Sequence, residues 1–296
     1  MHLPGLRYEG PIYRPPSESS SLLVQATVGC PHNKCTFCMV YKNEPKFRIR
    51  PVTEIKEDLL WAQQHMGSQI KTVFFPAGNT IIMKTKDLVE IFSYTKDLFP
   101  DVQRITVYGS SQYIIRKTPE ELKQIHEAGL TRIHVGLESG DDTVLSMVKK
   151  GATAEEHINA GKMIKAAGIE LSEYVVLGIG GKQYSAQHIQ ATIVALNAID
   201  PDFIRIRTFL PKIKTPILDD IKSGKFQILT PHEVLQETLD LIEGLEVTSH
   251  VVSDHYTNYI HIEGILPDDK GLMVADIKHA LTCNESSFRD VYIGTQ

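Results

Sequence analysis

Gly29-Cys30-Pro31-His32-Asn33-Lys34-Cys35-Thr36-Phe37-Cys38 places three of the chain's four cysteines inside nine residues. Thiolates this close in sequence can face one centre, and thiolate is the ligand that both iron–sulfur clusters and zinc select. A closed zinc site needs four ligands, and no fourth cysteine follows nearby. His32, two residues after Cys30, is spaced more tightly than zinc ligands usually are. A [4Fe–4S] cluster on three cysteines leaves one iron open for something else to bind. On these residues alone the open cluster and a zinc module of Cys30, Cys35, Cys38 and His32 both stand.

The apolar run Ser21-Leu22-Leu23-Val24-Gln25-Ala26-Thr27-Val28 reads as a strand that leads straight into the loop. Downstream the chain alternates. A helix capped by Thr53 is expected to run to Met66, followed by a strand over 71–75, a helix over 85–98 and a strand over 104–108. Thr118-Pro119-Glu120-Glu121 opens the next helix, with proline at its first position. Strand 132–137, helices 141–149 and 153–167, strand 170–177, helix 185–198, strand 203–208 and helix 231–244 complete the series. Six strand–helix alternations with short apolar strands predict an α/β fold with a parallel sheet and helices outside. We expect residues 1–20 to be an extended lead-in, 21–246 a partial barrel, and 247–296, with a helix over 267–281, an extension that closes the barrel mouth.

Composition narrows the class. With 296 residues, 42% of them hydrophobic and 23% charged, the chain has the makings of a soluble domain with a large core. A net charge of -5 advertises no basic surface for nucleic acid, so none is expected as a partner. No apolar run approaches membrane-spanning length and the N-terminus has no signal-type core, so no membrane partner and a cytoplasmic location are expected. Three clustered cysteines and a distant Cys283 do not make a secreted disulfide framework.

In parallel α/β barrels the chemistry sits where strands end. Those ends carry the cysteine loop, Pro76-Ala77-Gly78-Asn79, Tyr108-Gly109-Ser110-Ser111, Gly136-Leu137-Glu138-Ser139-Gly140, Leu177-Gly178-Ile179-Gly180-Gly181 and Arg205-Ile206-Arg207-Thr208. Taken singly, each has a plainer reading. Gly180-Gly181 suits a turn, Glu138-Ser139-Gly140-Asp141 suits a helix start, and Lys149 and Lys150 complement a helix C-terminus. Arg205 and Arg207 share one face of their strand. Facing inward they suit a carboxylate or phosphate; facing outward they suit ion pairs. His255 in the tail motif Ser253-Asp254-His255-Tyr256-Thr257-Asn258-Tyr259, and Tyr41 beyond the cysteines, complete the weaker catalytic candidates.

The cysteine loop, with an aromatic just before its last cysteine, resembles the cluster loop of the radical SAM superfamily. Its C-x4-C-x2-C spacing is one residue longer than the usual C-x3-C-x2-C. The resemblance implies a (β/α)6 partial barrel. It also implies a [4Fe–4S] cluster on Cys30, Cys35 and Cys38, with S-adenosylmethionine chelating the open iron and yielding a 5'-deoxyadenosyl radical on reduction. By the same resemblance, Ala77, Gly78 and Asn79 meet the methionine amino group, although no Gly-Gly-Glu is present. Glu138 makes a polar contact and Lys150 meets the methionine carboxylate. Ser110 lies near the ribose, Gly178 near the adenine, and Phe37 sets its backbone against the adenine edge.

Gly-Leu-Glu-Ser-Gly, Lys-Gly-Ala-Thr, the Gly-Ile-Gly-Gly loop and the Ser-Asp-His tail resemble a small bacterial group loosely labelled oxygen-independent coproporphyrinogen oxidase-like. The expectation is a radical SAM enzyme that abstracts hydrogen from a small molecule, reduced by a flavodoxin- or ferredoxin-type donor. Tetrapyrrole chemistry, with Arg205 and Arg207 on propionates, is one alternative. A noncatalytic cluster protein that senses redox state or handles iron or haem is the other.

Overall fold

The computed structural model describes residues 5–42 and 45–290, so the outermost parts of the lead-in and of the tail extension lie outside the described residues. The chain divides into two compact units. One comprises Met1–Asn33, Val40–Val135 and Lys162–Leu171, the other Lys34–Met39, Gly136–Gly161 and Ser172–Gln296.

The first unit contains β1 (Leu22–Leu23), β2 (Thr27–Val28), β3 (Arg48–Ile49), α1 (Val52–Met66) and β4 (Thr72–Phe75). It continues with α2 (Thr85–Leu98), β5 (Arg104–Gly109), α3 (Ser111–Ile114), α4 (Pro119–Ala128) and the start of β6 (Leu130–Glu138). β1, β4, β5 and β6 pair in that order and all in parallel, with Leu22 opposite Val73, Phe74 opposite Thr106 and Val107 opposite Ile133. Val73, Phe74 and Phe75 are all fully buried, the pattern of a parallel strand covered on both faces. α4 starts as its sequence announces. Thr118 accepts from the Glu121 N–H, Glu121 reaches back to the Thr118 N–H, and Pro119 occupies the first turn.

One expected strand differs. Residues 21–28 form two short strands, because the stretch between them spends its backbone elsewhere. The Gln25 side chain bonds the main chain of Glu9 in both directions, while Arg50 takes the carbonyls of Gln25 and Ala26. β2 turns away to pair antiparallel with β3.

The lead-in is tied down by a fully buried carboxylate. Glu18, at the end of a 3₁₀ turn over Pro16–Glu18, has no solvent exposure. It accepts from Ser21 Oγ at 2.5 Å and Thr106 Oγ1 at 3.2 Å, and from Arg104 at 3.3 Å. Arg132 and His134 lie 3.8 and 3.5 Å away. Burial alone would raise its pKa, but His134, Ser21 and Arg104 outweigh that and hold it at about 2.

The second unit contains α5 (Asp142–Met147), most of α6 (Ala154–Ala166), β7 (Glu170–Leu177), α7 (Gly181–Ile199), β8 (Phe203–Thr208) and α8 (Ile217–Lys222). α9 (Pro231–Gly244), β9 (His250–Val252), β10 (Glu263–Ile265) and α10 (Lys270–Thr282) follow. β7 and β8 are parallel, β9 adds in parallel to β8, and β10 closes antiparallel on β9. Leu177, Ile189, Ile204, Ile206, Leu241 and Ile277 belong to one apolar core in which helices cover the strands. α9 repeats the start seen in α4, with Thr230 and Glu233 capping reciprocally around Pro231. α7 begins at Gly181, four residues before the expected start, so Gly180 and Gly181 are the entry to a helix rather than a free turn. The fold is α/β with a mostly parallel sheet. Among the described residues no helix is long and apolar enough to cross a membrane.

Candidate active site

In the first unit, the loop after β4 lies against Cys30. Gly78 donates its N–H to the Gly29 carbonyl at 3.0 Å. A Cβ at Gly78 would stand 2.7 Å from Cys30 Cβ, so only glycine allows this approach. Ala77 is held at φ +92°, a left-handed conformation unusual for a side-chain-bearing residue and of the kind stored at functional sites. Asn79 is buried, and among the described residues its Oδ1 has no hydrogen-bond partner. An orphaned buried acceptor is costly unless something donates to it, and an ammonium group does so well.

Cys30 Sγ accepts from the Asn33 N–H at 3.4 Å, and the side chain of Asn33 holds the Tyr41 carbonyl. Tyr41 is itself buried, as part of the core. Tyr113 neighbours Cys30. Its phenol is raised above its usual pKa, first by burial and then by the charge of that thiolate. Ser110 caps α3 without using its side chain, which leaves the hydroxyl available.

In the second unit, the segment bearing Cys35 and Cys38 is held by its backbone. The Thr36 N–H donates to Val148 O at 2.9 Å and the Thr36 carbonyl accepts from the Ile217 N–H at 3.1 Å. Phe37 packs against an apolar cluster that includes Val144, Val148, Ile179 and Phe209. Near Cys35, Lys150 Nζ donates to Glu138 Oε1 at 2.9 Å. Burial pulls the Lys150 pKa down, but Glu138 and Cys35 overcome it and keep the ammonium charged. Glu138 sits at φ +64°, a second strained position. Gly136 makes room for the pair: a Cβ there would lie 2.2 Å from Glu138 Oε1 and 2.9 Å from Lys150 Nζ. Glu173, fully buried nearby, is driven well above the carboxylate range, first by burial and then by Glu138, against the pull of Lys150.

Gly178 takes φ +78° and gives its N–H to Glu237 Oε2 at 2.6 Å. Glu237 Oε1 meets Ser185 Oγ at 2.6 Å. Burial lifts this carboxyl to about 7, against the lowering effect of Ser185 and the Gly178 N–H. Sequence reasoning missed Glu237, as it missed Glu18 and Glu173. A lone acid on an amphipathic helix carries no local mark of its partner.

The two arginines of β8 part company. Arg205 is buried, with Nε on Ser172 Oγ at 3.2 Å and its guanidinium over the Phe203 ring. Arg207 is exposed and meets His255 Nε2 at 2.8 Å. His188 is fully buried against Ser139 Oγ at 2.8 Å, the structural role more usual for a lone histidine.

Among the described residues, no group of three His, Cys, Asp or Glu side chains is placed to hold a single metal ion. A cubane cluster asks for something else, since each of its cysteines binds a different iron.

A family model described as the Radical SAM superfamily matches residues 24–194. The tRNA-2-methylthio-N(6)-dimethylallyladenosine synthase of Thermodesulfovibrio yellowstonii is 23% identical over 295 residues, covering 90% of this chain and 65% of that protein. The 4'-phospho-dehydrooxetanocin synthase of Priestia megaterium is 26% identical over 206 residues, 61% of this chain and 27% of that protein. The chain therefore spans less than two thirds of the length of either relative. Among solved structures, methylornithine synthase is similar with a TM-score of 0.54 at 16% identity, covering 90% of this chain and 84% of that one. A radical S-adenosylmethionine methyltransferase from Kitasatospora setae, holding cobalamin and a [4Fe–4S] cluster, aligns with a TM-score of 0.56 at 17% identity, over 69% of this chain and 39% of that one. These likenesses extend to the fold.

Proposed function

The chain belongs to the radical SAM superfamily, whose members bind a [4Fe–4S] cluster and S-adenosylmethionine, and from that premise we propose that it is a radical SAM enzyme acting on a small molecule. Cys30, Cys35 and Cys38, three thiols within nine residues, hold the cluster. When bound, the reduced cluster supplies the electron that cleaves the sulfonium of S-adenosylmethionine and releases a radical able to take hydrogen from a C–H bond.

The chain's own residues bind and orient. The backbone around Ala77 and Gly78, together with the unpartnered Asn79 Oδ1, receives the methionine ammonium. The charged Lys150, held by Glu138, receives the methionine carboxylate as a point charge. Ser110 and the Gly178 loop take the nucleoside, with Phe37 fixed alongside by its apolar packing. A flavodoxin- or ferredoxin-type protein delivers the electron. The narrower likeness to oxygen-independent coproporphyrinogen oxidase-like proteins agrees with a carboxylate-bearing substrate. The relatives named as tRNA-modifying enzymes make RNA the competing substrate class.

The observation that carries this reading is the family match from residue 24 to 194, which includes all three clustered cysteines. Electron paramagnetic resonance on the anaerobically reconstituted, reduced protein tests it. A cluster signal that changes shape on addition of S-adenosylmethionine supports an open iron. A signal indifferent to S-adenosylmethionine rejects it.

A further inference from the structure

Beyond β8 the second unit carries a cationic cluster that the cofactor reading leaves unused. Arg207 meets His255 Nε2 at 2.8 Å, and Lys212 Nζ meets the Tyr256 hydroxyl at 2.7 Å. The His255 and Tyr256 rings lie against each other, 4.5 Å between centroids, so the four side chains form one continuous group. Among the described residues, neither Arg207 nor Lys212 has a carboxylate at ion-pair distance. Their hydrogen-bond partners are an imidazole and a phenol.

The role of His255 Nε2 follows from chemistry. A guanidinium has no acceptor, so Nε2 must offer its lone pair to Arg207. The ring's other nitrogen, Nδ1, lies 2.7 Å from Thr257 Oγ1 and 3.3 Å from the Thr257 N–H, so residue 257 fixes the ring from behind. Burial, then Arg207 and Lys212, push the His255 pKa down to about 3. The imidazole thus stays neutral and serves to aim Arg207. A general base held so low is ineffective near neutral pH.

The segment carrying His255 and Tyr256 is fixed to the strand that bears Arg207. Asn258 Nδ2 donates to Ile206 O at 2.8 Å and Ser253 O at 2.9 Å, and its Oδ1 accepts from Thr208 Oγ1 at 3.1 Å. Ser253 closes the turn through Ile260 O and the Ile262 N–H. Two cations without an acid repel each other, and a protein that spends hydrogen bonds to hold them there has prepared a place for negative charge. The group stands at the C-terminal end of a parallel strand, where barrel enzymes put substrate.

We propose that Arg207 and Lys212, aimed by His255 and Tyr256, form a clamp for an oxyanion, carboxylate or phosphate, on the small-molecule substrate. The proposal rests on the radical SAM reading for the word substrate and on geometry alone for the clamp. Arg207 supplies a flat fork for two oxygens, Lys212 a point charge, and His255 and Tyr256 are positioning residues.

The test is ligand-observed NMR on the full chain at fixed ionic strength, with inorganic phosphate as one probe and acetate as the other. Saturable binding of at least one anion is expected, and the tighter of the two identifies the group recognised. Arg207→Gln and Lys212→Gln should each weaken that binding roughly tenfold, the loss expected when one charge-assisted contact is removed. His255→Gln should weaken it less, since the amide oxygen still accepts from Arg207. No saturable response of the wild-type chain to either anion, or equal responses from wild type and both variants, overturns the clamp. Formation of 5'-deoxyadenosine is followed on the same preparation. Product without anion binding leaves the radical reading standing and the clamp fallen. Anion binding without product does the reverse, and removes the claim that the anion belongs to a radical substrate.

Discussion

Lys150 Nζ donates to Glu138 Oε1 at 2.9 Å across space that exists only because residue 136 is glycine. Alanine at this position would place its Cβ on top of both charged groups. Gly136→Ala is therefore expected to push Lys150 and Glu138 apart at little cost to the fold, because the atoms it meets are the ends of two flexible side chains. Binding of S-adenosylmethionine, followed by equilibrium dialysis on cluster-loaded protein, should weaken more than the melting temperature falls. Unchanged binding would remove Lys150 and Glu138 from the cofactor site.

Gly78→Ala probes the loop after β4. Its Cβ would come within 2.7 Å of Cys30 Cβ and 2.9 Å of the Gly29 carbonyl, neither of which is the end of a flexible side chain. The backbone must move, and Cys30 with it. Iron and sulfide retained after reconstitution should drop well below wild type while circular dichroism shows the fold kept. Full cluster content in this variant would mean that the approach of Gly78 to Cys30 is incidental.

Glu18 sets the acid limit of stability in the first unit. Its folded pKa of about 2 lies below the ordinary carboxylate value of 4.5, so its contribution is complete above 4.5 and is lost as pH falls through 2. Glu18→Ala leaves Arg104 and its neighbours without their buried anion, and a loss of about 3–5 kcal/mol is expected at pH 7. Denaturant titrations of wild type and variant should converge as pH drops from 5 toward 2. Parallel curves across that range would place the acid sensitivity elsewhere.

Glu237 behaves oppositely. Its folded pKa of about 7 exceeds the ordinary 4.5, so the stability it contributes is full below 4.5 and is lost as pH rises through 7. Glu237→Gln keeps an acceptor for the Gly178 N–H and a donor for Ser185 without the charge. The variant should lose the decline in melting temperature that wild type shows between pH 5 and 7.5. A decline that persists unaltered would show that Glu237 does not titrate in this window.

Local signals were the legible ones. Thr118-Pro119-Glu120-Glu121 announces a helix start that the structure reproduces with both capping bonds, and the helix expected over 231–244 is found with the same cap at Thr230 and Glu233. Strands 170–177 and 203–208 read correctly because each is a short run of β-branched and apolar residues. Residues 21–28 read as one strand because nothing in that octapeptide says that Gln25 is engaged by Glu9 and Arg50.

Distance along the chain hid the rest. Glu18 meets Arg104 and Thr106, 86 and 88 residues on, and Glu237 meets Gly178 59 residues back. The strained φ of Ala77 and Glu138 was equally invisible, since neither residue type advertises a left-handed backbone. Of the candidate site, the cysteines and strand-end loops were legible as residues. The separation of Arg205 from Arg207, one buried on Ser172 and the other turned to His255, was not. Both lie on the same strand face, and only depth distinguishes them.

The most direct measurement is of 5'-deoxyadenosine released by the anaerobically reconstituted protein on addition of dithionite and S-adenosylmethionine. The account predicts product from the wild-type chain and none from a variant in which Cys30, Cys35 and Cys38 are all alanine. Wild-type protein that holds a full [4Fe–4S] cluster and yet releases no 5'-deoxyadenosine would contradict it.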